Sequence, residues 1–231
     1  DYSQQEPRLV VHYASLDQDT SVFNVKDAYN AGDADFHTIV AKMADIPRDA
    51  AKTINLGLFY GMGKAKLQAE LGVSKDKAEE LFSIYHERVP FVKSLTRSVS
   101  NRAQQRGQIR TLLGRLCRFH LWEPNTFGMH KALPFDQAVQ EHGPGIKRAY
   151  TYKALNKLIQ GSAADMTKKS MLDLYKEGIV AHIQIHDELD VSVESPEQAK
   201  KIVEIMENAV KLEIPNKVDY ESGKNWGTIN D

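Results

Sequence analysis

Arg48-Asp49-Ala50-Ala51-Lys52-Thr53-Ile54-Asn55-Leu56-Gly57-Leu58-Phe59-Tyr60-Gly61 is the run around which the rest of the chain is organised. Arg48, Lys52, Leu56 and Tyr60 recur every four residues, and on an α-helix such positions stack along one face. Pro47 just before suits a first turn, where its missing N–H would be an orphan anyway. The stripe therefore carries two cations near the helix start, an aliphatic residue midway and a tyrosine at the end. The macrodipole disfavours cations at a helix N-terminus unless something anionic sits over them. That mismatch points to a polyphosphate on Arg48 and Lys52, with a flat group toward Leu56 and Tyr60. An ordinary surface helix with solvated Arg and Lys carries the same spacing.

Composition bounds the possibilities. A chain of 231 residues that is 42% hydrophobic holds a real core, as one large domain or two small ones. A formal net charge of -1 excludes a global basic field, so any nucleic-acid surface is local. Cys117 is the single cysteine, which excludes a disulfide framework or a cysteine zinc site and suits a reducing compartment. No apolar run approaches the ~18–20 residues of a membrane span, and no signal peptide is evident, so no membrane partner and a cytoplasmic location are expected. The first residue is Asp1 rather than Met. A fragment, a processed product or one piece of a split protein is the expectation.

Outward from the central run, local signals recur. Ser3 and Glu6 have the spacing of a capping box, which predicts a strand end at Asp1 and Tyr2 turning into a helix at Ser3. Residues 24–46 read as helical, with a break at Gly32 and Asp33. Beyond Gly61 a helix through Leu67 and Leu71 stops at Gly72. Ser74 caps the next helix, whose apolar side is Leu81, Ile84 and Tyr85, and Pro90 kinks or divides it. From Arg88 to Trp122 there is no acidic residue, while Arg88, Lys93, Arg97, Arg102, Arg106, Arg110, Arg115 and Arg118 punctuate the span. Unbalanced basic charge needs phosphates or repels itself, so contact with a nucleic-acid backbone is expected. Residues 119–147 read as loop plus a short helix.

A long helix is expected from Tyr150 to Tyr175, ending near Gly178, with Asn156 and Gln160 sharing one face. Residues 179–194 alternate: Ile179, Ala181, Ile183 and Ile185 with His182, Gln184 and His186, then Leu189, Val191 and Val193 with Asp190, Ser192 and Glu194. His186-Asp187-Glu188 lies between as a hairpin tip, which pushes a carboxylate past a sheet edge. An amphipathic helix near 196–212 and Asn225-Trp226-Gly227 complete the chain.

Several of these segments together resemble family A DNA polymerases, the DNA polymerase I type, and bacteriophage members in particular. Asp1-Tyr2-Ser3-Gln4-x-Glu6-x-Arg8 is similar to that family's first palm motif, and R-x3-K-x7-YG at Arg48, Lys52 and Tyr60-Gly61 to its nucleotide-binding fingers helix. Gly107 to Arg115 resembles a segment near the template strand, Asn156-x3-Gln160-Gly161 a minor-groove segment, and His186-Asp187-Glu188 the last palm motif. Leu56 departs from the usual Phe or Tyr, removing an aromatic wall beside the sugar and base. Tyr152 stands where many cellular members have Arg.

The resemblance implies an α+β fold, a helical fingers subdomain inserted in an antiparallel β-sheet palm with packed helices. It assigns 1–24 to the palm, 25–100 to the fingers and 101–231 to the palm again, with thumb and exonuclease domains absent. It implies two-metal transfer of a nucleotide from a dNTP to a primer 3′-hydroxyl. Asp1, Asp187 and the Tyr2 carbonyl would hold the metals. Glu188 would be an accessory carboxylate, and Lys52 a proton donor to the departing pyrophosphate. Gln4, Glu6, His37, Arg48, Lys52, Leu56 and Tyr60 would meet the dNTP, and Arg110, Arg115, Asn156, Gln160 and His186 the DNA. Two repelling carboxylates recruit hard cations, so two Mg²⁺ are expected, with Mn²⁺ a substitute. The expected partners are primer–template DNA, dNTP and an N-terminal polymerase portion supplying the thumb and the rest of the palm. The alternatives are a single-subunit RNA polymerase, an HD-type phosphohydrolase and a non-catalytic DNA-binding fragment.

Overall fold

The computed structural model describes the chain apart from Asp33, Tyr60, Gly61, Met62, Gly63, Phe127, Met129 and residues 229–231. The helices are α1 (Gln5–Leu16), α2 (Phe23–Asn30), α3 (Phe36–Ala44), α4 (Arg48–Phe59), α5 (Lys64–Leu71), α6 (Lys75–Arg88), α7 (Pro90–Arg106), α8 (Phe135–His142), α9 (Ala154–Lys176) and α10 (Pro196–Asn208). The strands are β1 (Gln108–Arg110), β2 (Leu116–Arg118), β3 (Trp122–Pro124), β4 (Ile146–Arg148), β5 (Ile183–Ile185) and β6 (Glu188–Asp190). They pair as three antiparallel ribbons, β1 with β2, β3 with β4 and β5 with β6. The α+β class is thus realised as helices with small antiparallel sheets. No helix of the described residues is long and apolar enough to cross a membrane.

Two compact units divide the chain, Asp1–Phe36 with Ser162–Asp231, and His37–Gly161. In the first, α1 buries Leu9, Val10 and Val11, and the C-terminal part of α9 contributes Met166 and Leu174. From α10 come Ile202 and Met206. In the second, Ile54 and Phe59 of α4, Tyr85 of α6, and Phe91, Val92 and Leu95 of α7 are buried.

Local signals explain most boundaries. Gly72 takes φ +64 after α5, Ser74 accepts from the Lys77 N–H as N-cap of α6, and Pro90 opens α7 at its first turn. Three expectations are corrected. Helix α1 starts at Gln5 with Gln4 as its N-cap at φ 54 and no side-chain cap bond, because the Ser3 N–H is committed to the Lys217 carbonyl at 2.9 Å. Residues 119–147 are not only loop and helix: β3 and β4 pair there, each too short to show a period. The alternation of 179–194 shrinks to two three-residue strands, and the alternating Ile183 and Ile185 are exposed. Pro7 costs α1 no hydrogen bond, since it falls in the first turn where N–H groups lack intrahelical partners.

Candidate active site

In the first unit, Asp1 and Tyr2 form a short extended segment beside residues 217–219. The Asp219 N–H donates to the Asp1 carbonyl at 2.9 Å, the Ser3 N–H to Lys217, and Tyr2 bridges Val218. In an antiparallel pair these bonds use one side of the backbone, so the Tyr2 N–H and carbonyl face the other side. There the Tyr2 N–H donates to the Asp187 carbonyl at 3.3 Å. The two carboxylate-bearing motifs are therefore adjacent, with the Tyr2 carbonyl turned to the same side as Asp187.

Side chains alternate across this segment. Tyr2 points into the core, where its hydroxyl donates to the Met206 carbonyl at 2.6 Å and shares a 2.6 Å hydrogen bond with Ser170. Burial pushes its phenol up to about 12. Asp1 therefore projects to the open face and is exposed. Asp1, Glu188, Asp190, Asp219 and Glu221 line a cavity of about 370 Å³ that Asp187 does not line. Burial, and after it a hydrogen bond with the Glu188 carboxyl, raises the Asp190 pKa. Glu188 also accepts from the Trp226 indole N–H at 3.4 Å.

The hairpin tip is a two-residue loop, His186–Asp187, with His186 at φ 51. The Gln184 amide braces it by donating to the His186 carbonyl at 2.7 Å. A left-handed conformation at a residue other than glycine costs on the order of 1–3 kcal/mol, and such strain clusters at functional sites. Gln4 makes a similar turn, held by its own side chain. Its amide donates to the Ala34 carbonyl at 2.9 Å and accepts from the Tyr29 hydroxyl at 3.0 Å and the Phe36 N–H at 2.9 Å. Gln4 thus ties the first motif to the start of α3. Glu6 lies in the first turn of α1, where the helix dipole favours a carboxylate. Gln5 is buried and donates to Thr167 Oγ1 at 3.3 Å.

In the second unit, Arg48 and Lys52 are exposed on α4 and Leu56 is half-buried. Arg48 Nε donates to Thr38 Oγ1 at 3.2 Å, which places its guanidinium beside the turn of α3 that carries His37. His37 is 9% exposed, and its Nδ1 lies 3.0 Å from the Asn55 amide nitrogen. Tyr60 falls outside the described residues.

The basic residues named between Arg88 and Arg118 are all exposed. Arg110 donates to the Gly114 carbonyl at 3.0 Å, and Arg115 to the Gly161 carbonyl at 2.6 Å. Arg115 therefore pins the Thr111–Gly114 turn to α9 one residue beyond Gln160. A Cβ at Gly161 would lie 2.6 Å from the Thr111 methyl, so this approach requires glycine. Gln160 is exposed and Asn156 half-buried beside this contact. Sequence reading missed Asn55 and Tyr85. The available signal was an Asn inside an otherwise apolar helix stretch, a position where its poor propensity asks for a compensating bond.

Among the described residues no group of three His, Cys, Asp or Glu side chains is arranged to hold a metal. Two carboxylates with a backbone carbonyl nevertheless suit Mg²⁺, which keeps several waters and takes further oxygens from a substrate's phosphates.

Three comparisons bear on this arrangement. The model of DNA polymerase family A matches residues 1–228. The DNA-directed DNA polymerase of Pseudomonas phage M6 is 34% identical over 269 residues, an alignment covering 98% of this chain and 37% of that protein. DNA polymerase I of Bacillus caldotenax is 32% identical over 244 residues, covering 98% of this chain and 25% of the relative. Among solved structures, the POL domain of Pol1 from M. smegmatis, in complex with DNA primer-template and dNTP, aligns with a TM-score of 0.76 and 28% identity over 100% of this chain and 40% of that one. The chain belongs to DNA polymerase family A. It spans well under half the length of these relatives.

Proposed function

We propose that this chain carries the catalytic carboxylates and the nucleotide-binding helix of a template-directed DNA polymerase. The reaction joins a primer 3′-oxygen to the α-phosphorus of a dNTP, and the bond to the bridging oxygen breaks with release of pyrophosphate. The observation that carries the reading is the Tyr2–Asp187 backbone bond, which sets the two acidic motifs side by side within a chain that matches the family end to end. The Pol1 neighbour's primer-template DNA and dNTP supply the substrate class.

Asp1, Asp187 and the Tyr2 carbonyl are the residues that would hold two Mg²⁺, with Mn²⁺ a substitute and Glu188 accessory. When bound, the ions supply charge stabilisation for the attacking and leaving oxygens. Arg48 and Lys52 neutralise the β- and γ-phosphates, and Lys52 delivers a proton to the departing pyrophosphate. His37 donates to the triphosphate, Tyr60 and Leu56 flank the base and sugar, Glu6 excludes a ribose 2′-hydroxyl, and Gln4 sets the shape of that corner. Arg110, Arg115, Asn156, Gln160 and His186 meet the primer–template. The expected division is palm 1–24, fingers 25–100 and palm 101–231.

The thumb and remaining palm come from an N-terminal portion, and the working location is the cytoplasm of a bacterial host. Primer extension tests the reading. The chain joined to the N-terminal portion should extend a primer with deoxynucleotides and Mg²⁺, while the chain alone should not. Preference for ribonucleotides, or DNA binding with no extension under any condition, would overturn it.

A further inference from the structure

The turn that leads into α9 carries two tyrosines that the proposed reaction does not use. Tyr150 and Tyr152 are 41% and 58% exposed, so neither ring serves the core. Tyr150 stands at φ 62, a left-handed backbone uncommon for residues other than glycine and more so for a bulky one. Asparagine or glycine would hold that position with less strain. The strained backbone presents a ring to the outside rather than to the fold.

Lys153 lies between the two rings. Its ammonium is 5.3 Å from the centroid of Tyr150 and 5.6 Å from that of Tyr152, both within cation–π range. One turn further on, the Lys157 ammonium is 5.3 Å from the Phe119 centroid. Both lysines are exposed, and between Glu141 and Asp165 the chain has no acidic residue. The 3-10 turn Thr151–Lys153 lies against α7, the helix that carries Lys93, Arg97, Arg102 and Arg106. Ala154 has helical φ -63 and ψ -42, so the turn runs on into α9. Tyr152, Asn156 and Gln160 then follow one another at four-residue spacing along one face. Cations set on rings rather than on carboxylates, two outward rings and a neighbouring pair of amides describe a surface for a nucleic-acid strand. The cations take its phosphates, and the rings take the faces of its bases and sugars. A protein partner of the same surface would have to bring the carboxylates itself.

We propose that Tyr150, Tyr152 and Lys153 form an aromatic platform that holds a DNA strand next to the Asn156–Gln160 face, the rings packing on base or deoxyribose and the ammonium meeting a phosphate. The proposal rests on the reading of the chain as part of a DNA polymerase. The strand belongs either to the paired primer–template or to its unpaired overhang, and the chemistry of the contact is the same in both.

Fluorescence anisotropy of labelled DNA, with the chain joined to the N-terminal portion and neither nucleotide nor metal added, tests the platform apart from catalysis. Two probes separate the sources, a blunt duplex and an oligothymidylate of the same length. Tyr152→Ala should weaken binding to at least one of them about tenfold, and Tyr152→Phe should keep it, because the ring and not the hydroxyl makes the contact. Tyr150→Asn suits the left-handed position, so it should leave the urea midpoint unchanged or higher and still weaken binding about tenfold. Lys153→Gln should reduce the slope of log affinity against log salt concentration by about one, whereas the tyrosine variants should leave that slope alone. Tyr175→Ala, which removes a tyrosine 68% exposed near the other end of α9, is the control and should change nothing. Loss with the duplex alone supports a platform for paired DNA, and loss with the oligothymidylate alone supports one for the overhang. Binding of both probes that neither tyrosine variant changes overturns the proposal and leaves the polymerase reading standing. Should the unmodified protein bind neither probe, that reading falls and the platform with it.

Discussion

The N–H of Tyr2 donates to the carbonyl of Asp187, joining the first motif of the chain to a hairpin near its other end. Because the bond uses the Asp187 backbone, the side chain can be changed without breaking it. Asp187→Asn should keep the fold, with an unchanged urea midpoint. It should lower primer extension by at least about a hundredfold, the usual cost of removing one preorganised charge from a transition state. Parallel urea melts, and single-turnover extension assays of the chain joined to the N-terminal portion, measure the two effects.

The exposed cations of α4 make the opposite kind of variant, one whose loss the fold ignores. Arg48 and Lys52 lie near the start of the helix, where the dipole gives a cation nothing. Arg48→Ala and Lys52→Ala should each alter stability by less than about 0.5 kcal/mol. Lys52→Ala should slow the chemical step about a hundredfold, roughly 3 kcal/mol, whereas Arg48→Ala should mainly raise the dNTP concentration for half-maximal rate. Equal losses in both parameters for both variants would contradict this division of roles.

Gln4 behaves differently, since its amide satisfies Ala34, Tyr29 and Phe36 at once. Gln4→Ala strands the Tyr29 hydroxyl in a nearly closed environment and frees the left-handed turn before α1. We expect a loss of about 2 kcal/mol by urea denaturation, typical of buried polar groups left without partners.

Gly161 and Thr111 form a pair suited to a double-mutant cycle. Gly161→Ala puts a methyl against the Thr111 methyl at 2.6 Å. Overpacking of this kind costs about 1–3 kcal/mol. Thr111→Ser deletes the opposing methyl and keeps the hydroxyl that donates to the Arg115 carbonyl, so the double variant should recover part of the loss. Additive losses would show that the two side chains do not meet.

Acid sensitivity should trace in part to His12. Burial lowers its pKa from 6.5, with smaller opposing effects of Glu213, which raises it, and Lys26, which lowers it; its Nδ1 accepts the Glu213 N–H at 3.1 Å. Between the lowered folded value and 6.5 the unfolded chain binds more protons, so stability rises with pH. The contribution is whole above 6.5 and is lost as pH falls through the folded value. His12→Asn, whose Oδ1 can accept the same N–H, should lose less stability than the unmodified chain between about pH 7 and pH 5 in urea titrations followed by fluorescence.

What the sequence revealed follows the range of each interaction. Gly72, Ser74 and Pro90 mark their boundaries because a cap, a left-handed glycine and a missing N–H act within one turn of chain. The His186–Asp187 tip was legible for the same reason. Ser3 misled because its N–H is taken by Lys217, far along the chain, and no local pattern records that partner. Strands β3 and β4 were invisible because three residues hold no period. Among the candidate residues, Asp1 and Asp187 of the first unit and Lys52 of the second stand in motifs. Asn55 and Tyr85 read as filler, since their worth lies in meeting each other across two helices.

Ile183 and Ile185 remain uncovered on β5, which among the described residues pairs only with β6. A bare apolar strand with an open edge is a template for another copy of itself. Purified by itself, this polypeptide should therefore cluster as it is concentrated. Sedimentation profiles should broaden with loading, and Ile183→Lys should sharpen them. Yield in the laboratory will depend less on the catalytic motifs than on the two uncovered isoleucines of one short strand.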